Sequence, residues 1–228
     1  MKTRRLVKPA AAVATLAAIV LAGLLSSSPR VRAQGDEDDG DSRIQQGFAI
    51  APVRLNLNGK NLALVGLGSY IVNATVPCNE CHGAGPAITQ FLPGGNPYFG
   101  QPKKINPATY LGGGRDFGAL VAGSPHIISR NLTPDKTGLP VGGRTFEEFV
   151  QILRTGVDLD QLHPTCPPLV VNTGCIPAPF RGDLLQIMPW PALKDLTDHD
   201  LRAIYEFLSA IPCVAGPPAP SPLHNDCP

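Results

Sequence analysis

The chain has few of the patterns by which enzymes are found in a sequence. No Ser/His/Asp triad, P-loop or G-x-G-x-x-G sequence stands out among its 228 residues. This gives no support to a triad hydrolase or to an enzyme that binds a nucleotide through those motifs. The adjacent carboxylates Glu147 and Glu148 follow Thr145 at capping-box spacing, which explains them better than acid–base chemistry does. Methionine is also scarce, with two in the whole chain, and there is one tryptophan.

Residues 1–33 have the features of a secretory signal peptide. A basic start precedes an apolar run over residues 10–25, and Val31-Arg32-Ala33 offers small residues for a cut before Gln34. The run is short for a span of about 20 residues, so we favour cleavage over an uncleaved anchor. Membrane association is expected only if the segment is not cleaved. In either case the remainder is exported, and we expect it in the periplasm.

Removal of this segment also changes the charge balance. Residues 1–33 hold six of the 19 Lys and Arg residues and none of the 18 Asp and Glu residues. The remaining chain has 13 basic and 18 acidic side chains, a formal charge of −5. No basic patch survives to support nucleic-acid binding.

Cys78-Asn79-Glu80-Cys81-His82 is the chemically most specific stretch, and this C-x-x-C-H pattern occurs once. The pattern is typical of c-type haem attachment. Two thiols at this spacing can each add to a haem vinyl group, and the following histidine can reach the iron as proximal ligand. The alternatives are a zinc knuckle, which needs a second ligand pair, and a redox dithiol, which has no need of the histidine.

Four further cysteines suggest disulfides, because an exported protein folds in an oxidising compartment. They are Cys166, Cys175, Cys213 and Cys227. The nearest-neighbour pairing, Cys166–Cys175 with Cys213–Cys227, is one of three connectivities that four cysteines allow. Free cysteines are the alternative.

The exported part divides into an acidic linker and approach segment (34–57), a main domain (58–213) and a proline-rich tail (214–228). The first ten linker residues are expected to be too polar to pack. Three helices are predicted: one from about Asn61 to Ala74 with glycines at 66 and 68, one after the Thr145 capping box, and one starting at Thr197. With 24 glycines and 25 prolines, the rest is expected to be loop.

The iron of an attached haem has a second axial position. Met188 is the only methionine left after signal removal, and it lies in Met188-Pro189-Trp190 just before the last predicted helix. A thioether there favours reduced iron and gives an electron carrier, whereas an open position gives a gas-binding or peroxidatic centre. The alternative role for Met188 is filling a gap in the core. His126 and His163, both in predicted loops, remain competing ligands.

Together these motifs resemble the bacterial single-haem class I cytochromes c, of the periplasmic kind that accompanies dehydrogenases. The resemblance covers about 150 residues, in the order helix, C-x-x-C-H, loops, Met-Pro segment and terminal helix. It implies an all-α cytochrome c-like fold, with few helices and long Gly/Pro-rich loops around one covalent haem c. It also implies thioether bonds at Cys78 and Cys81, iron ligation by His82 and Met188, and a crossing of the glycine-containing helix with the last helix near Tyr205. The segment 83–187, between the C-x-x-C-H motif and Met188, is longer than the corresponding segment of a minimal cytochrome.

We therefore expect a periplasmic one-electron carrier and not an enzyme. The carrier can be free or can be the cytochrome subunit of a dehydrogenase complex. The resemblance implies a dehydrogenase as electron donor and an oxidase or another cytochrome as acceptor. The alternatives are a haem peroxidase or oxidase and a gas-sensing module, each with an open or histidine-ligated iron. Arg130, Asn131 and Thr133 are candidates for hydrogen bonds to a haem propionate, with an ordinary structural turn as the alternative.

Overall fold

The computed structural model describes residues 36–85, 87–168, 174–218, 221 and 223–228. Residues 37–228 form one compact unit. The predicted signal segment, 1–33, lies outside the described residues. In chain order the regular elements are α1 (Asp36–Ile50), α2 (Leu62–Tyr70) with a π-helical turn after it (Ile71–Thr75), α3 (Cys78–His82), two 3-10 turns (Ala87–Gln90 and Pro97–Phe99), strands β1 (Asp116–Ala119) and β2 (His126–Ile128), α4 (Pro140–Gly143), α5 (Phe146–Thr155), α6 (Trp190–Leu193) and α7 (Asp198–Leu208).

The crossing of α2 and α7 forms the centre of the core. Helix α2 begins after Asn61, whose side chain accepts a hydrogen bond from the backbone of Leu64. At the crossing, a Cβ added to Gly68 would lie 1.9 Å from the carbonyl oxygen of Ala203. Only a glycine permits this approach of the two backbones. The predicted crossing near Tyr205 is therefore present, with Gly68 facing Ala203.

Helix α1 packs against the neighbouring face of α2. Gly47 and Gly66 meet backbone to backbone, since a Cβ on Gly47 would lie 1.9 Å from the Gly66 carbonyl oxygen. The Ser69 hydroxyl adds a 2.6 Å hydrogen bond to the carbonyl of Gly47. The sequence analysis placed residues 34–57 in an acidic linker and approach segment, and the structure has a helix over Asp36–Ile50 of it. The residues around Gly47 are apolar enough to pack, while residues 39–43 stay largely exposed.

Helices α5 and α7 begin as predicted. Thr145 and Glu148 form both hydrogen bonds of a capping box at the start of α5, which ends at Gly156 in the left-handed conformation. Thr197 caps α7 by accepting from the backbone of Asp200. The Tyr205 ring joins the two helices, with its centroid 5.4 Å from Phe146 and 5.6 Å from Phe149.

Long loops connect the helices. Among the described residues, strands β1 and β2 form one antiparallel two-stranded sheet, with Asp116 paired to Ile128 and Ala119 to His126. The structure contains both disulfides of the nearest-neighbour pairing, Cys166–Cys175 and Cys213–Cys227. The second disulfide ties the proline-rich tail back to the end of the core. The structure thus contains the few helices and long loops that were expected, together with a small sheet that was not. The cytochrome c-like fold itself stays a prediction.

Candidate functional site

The C-x-x-C-H motif forms the short helix α3, directly after the π-helical turn that prolongs α2. Val76 and Pro77 connect the two, and the Cys78 backbone donates to the carbonyl of Val76 over 2.6 Å. Inside the motif, buried Asn79 accepts a 2.9 Å hydrogen bond from the backbone of Leu111 through its side chain. This bond joins the motif to the long loop that follows it, so α3 has a fixed place against the core.

The two thiols of the motif have different surroundings. Both are free of disulfides, with Cys78 partly buried and Cys81 exposed. Burial raises the pKa of the Cys78 thiol to about 12. Cys78 is therefore a neutral thiol at neutral pH, and the helix presents its two sulfurs at the separation of one turn.

The His82 ring is oriented by the protein backbone. Its Nδ1–H donates a 2.7 Å hydrogen bond to the carbonyl oxygen of Arg130. This bond selects the tautomer in which Nε2 carries a lone pair, the form that binds metals. Burial is also the main reason that the pKa of His82 is lowered, which favours the neutral ring.

Arg130 is in turn held by two carboxylates that the sequence analysis did not identify. Its guanidinium donates to both oxygens of Asp158, at 3.1 and 3.0 Å, and to Asp160 at 3.0 Å. The Asp158 side chain is 7% exposed and that of Arg130 is 19% exposed. Arg130 and Asp158 are 28 positions apart, and no local sequence pattern predicts a contact over that separation. Asp158 lies in a loop after α5 and belongs to no motif. These ion pairs fix the segment whose carbonyl orients His82.

One cavity of about 380 Å³ brings the predicted site residues together. Its volume is in the range of small-molecule sites, and most of its wall is apolar. The predicted ligand and attachment residues among its lining are Cys78, Cys81, His82 and Met188. Apolar side chains from β2, α5, α7 and the loops complete the wall, among them Ile128, Leu132, Phe149, Leu153, Ile204 and Leu208.

The segment around Met188 is held in place by its neighbours. The indole N–H of Trp190 donates a 3.2 Å hydrogen bond to the carbonyl of Leu185. Gly156, at the end of α5, lies flat against the indole, and a Cβ added there would come within 2.2 Å of the ring. Trp190 thus packs the methionine loop against α5.

The competing histidines differ in position. His163 lines the cavity, so it remains a candidate ligand. His126 lies outside the cavity lining, and its Nδ1 is 2.7 Å from the Asp116 carboxylate on the exposed sheet. His224 in the tail also lines the cavity, and its Nδ1–H donates to the Pro217 carbonyl over 2.9 Å. Of the two loop histidines that the sequence left as competing iron ligands, His126 and His163, His163 is the one that lines this cavity.

Asn131 and Thr133 form a structural turn. The Asn131 side-chain oxygen accepts hydrogen bonds from the Thr133 backbone N–H at 2.9 Å and from the Thr133 hydroxyl at 2.7 Å. The Asn131 side-chain amide donates to the backbone carbonyl of Val214 at 2.6 Å. Buried Asn225 of the tail donates to the same turn, over 3.1 Å to the Thr133 hydroxyl. Their hydrogen-bonding groups are thus engaged within the protein, which favours the structural alternative for these two residues.

Comparison with protein-family models, curated proteins and solved structures finds no match to this chain. Within the described ranges, no helix is both long and apolar enough to cross a membrane. Over the same ranges, no group of three or more His, Cys, Asp and Glu side chains could hold a metal ion.

The side chains that line the cavity fit a c-type haem in their chemistry. The predicted attachment and ligand residues supply two free thiols, the His82 imidazole with its Nδ1–H bonded to a carbonyl, and one thioether, and the imidazoles of His163 and His224 line the same cavity. A haem iron takes four ligands from its macrocycle, so two axial side chains complete it. The largely apolar wall also suits a macrocycle.

Proposed function

We propose that this protein is a periplasmic one-electron carrier with a single covalently attached haem c. The observation that carries the proposal is the one cavity lined by Cys78, Cys81, His82 and Met188. The C-x-x-C-H spacing points to haem attachment, and the lone pair left on His82 Nε2 by the Arg130 hydrogen bond suits an iron ligand.

Each group has a distinct task in this proposal. Cys78 and Cys81 would hold the haem through thioether bonds, and His82 and Met188 would bind its iron. When bound, the haem supplies an iron that changes between Fe(II) and Fe(III) by one electron. The Arg130 carbonyl maintains the His82 tautomer, and the apolar wall keeps water away. Both influence the reduction potential, because hydrogen bonding and burial tune a haem iron.

With both His82 and Met188 bound to it, the iron would leave no open position for a substrate, which favours electron transfer over catalysis. The resemblance to dehydrogenase-associated cytochromes suggests a periplasmic dehydrogenase as donor and an oxidase or another cytochrome as acceptor. The two disulfides are compatible with an oxidising compartment. Co-purification with a flavin-, quinone-cofactor- or molybdenum-containing subunit would identify permanent attachment to a dehydrogenase.

Optical spectra of the purified holoprotein and two variants test the proposal. We expect a low-spin ferric spectrum with a sulfur-to-iron charge-transfer band, which Met188→Ala abolishes. His163→Ala is the matched control, because His163 lines the same cavity, and it should keep the band. A high-spin, five-coordinate ferric spectrum in the unmodified protein contradicts the carrier function.

One observation favours a second candidate, a haem peroxidase, oxidase or gas sensor with a histidine-ligated or open iron. His163 lines the same cavity as the proposed ligands. If it binds the iron, His163→Ala changes the spectrum while Met188→Ala does not. A reduced form that binds carbon monoxide without displacing a ligand would indicate an open position and favour the sensor.

A further inference from the structure

An exposed aromatic and basic segment lies next to the C-x-x-C-H helix. Tyr98 and Phe99, adjacent in the chain, are each 72% exposed. The Tyr98 hydroxyl donates a 3.2 Å hydrogen bond to the Glu80 carboxylate, inside the motif. Glu80 and exposed Cys81 both line the cavity, so the aromatic pair borders the place where the motif reaches the surface.

The segment 91–105 has a defined shape. Phe91 and Ile105 pair as an antiparallel bridge, and the Lys104 backbone donates to Gly95 and accepts from Leu92, both at 2.9 Å. Phe91 is buried and contacts the Tyr98 ring edge-on, with 6.3 Å between centroids. A surface held in one shape loses little conformational entropy when a partner binds.

The charge of this region is opposite to that of the rest of the exported chain. Segment 91–105 contains Lys103 and Lys104 and no acidic residue, although residues 34–228 carry a formal charge of −5. An acidic side chain outside the segment, Glu80, accepts the Tyr98 hydrogen bond. Lys103 and Lys104 are exposed. Among the described residues neither lysine forms an ion pair. The positive charge is therefore available to a partner.

We propose that segment 91–105 is the docking surface for an acidic redox protein. Tyr98 and Phe99 supply the apolar centre, and Lys103 and Lys104 steer the negatively charged partner. Aromatic side chains are enriched at protein interfaces, and complementary charges raise association rates. This inference rests on the proposed electron-carrier function and specifies the surface and the charge of its partner.

Stopped-flow reduction of the ferric holoprotein tests it, with a reduced acidic [2Fe–2S] ferredoxin as the probe. In this step one electron leaves the ferredoxin cluster and reduces Fe(III) to Fe(II), with no proton transferred. We expect the second-order rate constant to fall as ionic strength rises from about 0.01 M to about 1 M, since the Debye length shrinks from about 30 Å to about 3 Å.

The charge-reversal variant Lys103→Glu/Lys104→Glu should slow this reaction at low salt by about tenfold or more. Its control is Arg43→Glu/Arg54→Glu, which makes the same change in net charge at two exposed residues outside both the segment and the cavity lining. A smaller effect than that of the lysine variant is expected there, because neither arginine belongs to segment 91–105. Phe99→Ser should weaken the reaction about tenfold, since its ring is exposed and not part of the core.

Reduction by a small uncharged quinol separates failure of the docking surface from failure of the haem. Provided that the quinol still reduces every variant, any of three results overturns the docking proposal. They are equal slowing by both charge variants, an unchanged rate in Lys103→Glu/Lys104→Glu, and a rate that rises with salt. If the unmodified protein carries no haem, or its haem is not reduced by either reagent, the proposed function itself is wrong and the docking inference falls with it.

Discussion

Gly68→Ala tests whether the close crossing of α2 and α7 determines the stability of this protein. An alanine Cβ at position 68 would lie 1.9 Å from the Ala203 carbonyl oxygen, 2.5 Å from the Ala203 carbonyl carbon and 2.8 Å from Phe207 Cβ. Two of these atoms are backbone, so no side-chain rotation relieves the contact. Phe207 is fully buried, so the helix cannot shift towards solvent without disturbing the core.

The size of the effect follows from these distances. An ordinary carbon–oxygen contact is at least about 3.3 Å, so the helices would have to separate by about 1.4 Å. A gap of even 0.5–1 Å loses roughly a quarter to a half of the dispersion energy at the contact, and overpacking typically costs about 1–3 kcal/mol. Alanine gains up to about 1 kcal/mol over glycine in helix propensity. We expect a net loss of about 2 kcal/mol in the free energy of unfolding.

Urea denaturation of the holoprotein, followed by far-ultraviolet circular dichroism, measures this loss. Gly40→Ala is the matched control, because Gly40 lies in α1 and a Cβ added there meets no atom within 4 Å. It should leave stability unchanged or raise it by up to about 1 kcal/mol. A Gly68→Ala protein that is as stable as the unmodified chain would refute the reasoning, because the crossing would then tolerate a side chain.

Two further predictions concern charge and pH. Asp158→Asn should lower the free energy of unfolding by about 3 kcal/mol, because the partly buried Arg130 loses one of its two carboxylate partners and keeps Asp160. The control is Asp183→Asn, which removes one partner of the exposed Arg181–Asp183 ion pair. It should cost less than about 1 kcal/mol in the same urea denaturation. Burial raises the pKa of Tyr110, so its protonated form is favoured by folding and stability should decline as pH rises above about 10, the unfolded value. Denaturation between about pH 8 and pH 11 should show a smaller decline in Tyr110→Phe, and an identical decline would contradict this assignment.

Local sequence patterns predicted the features that depend on neighbours in the chain. The capping box at Thr145, the cap at Thr197 and the start of the glycine-containing helix after Asn61 are confirmed. Each depends on hydrogen bonds between residues three positions apart, which the chain geometry fixes. The disulfide pairing was one of three options, and the structure contains the nearest-neighbour one.

Predictions that depend on distant contacts were less complete. Residues 34–57 were assigned to an acidic linker and approach segment, and neither the helix over Asp36–Ile50 nor the packing of Gly47 on Gly66 was predicted. The resemblance implied that the helix with glycines at 66 and 68 crosses the last helix, but the sequence did not show that the two glycines face different helices. Gly66 meets α1, and Gly68 meets α7.

The sequence by itself determined the chemistry available to this protein: two thiols, a histidine at the spacing of haem attachment, and one methionine after the predicted signal peptide. The tertiary structure decided which carbonyl orients His82, which carboxylates hold Arg130, and that Met188 and His163 line the same cavity as the motif. The physical reason is that attachment chemistry is set by spacing along the chain. These other relations join residues across long Gly/Pro-rich loops that have no periodicity, and packing alone brings them together.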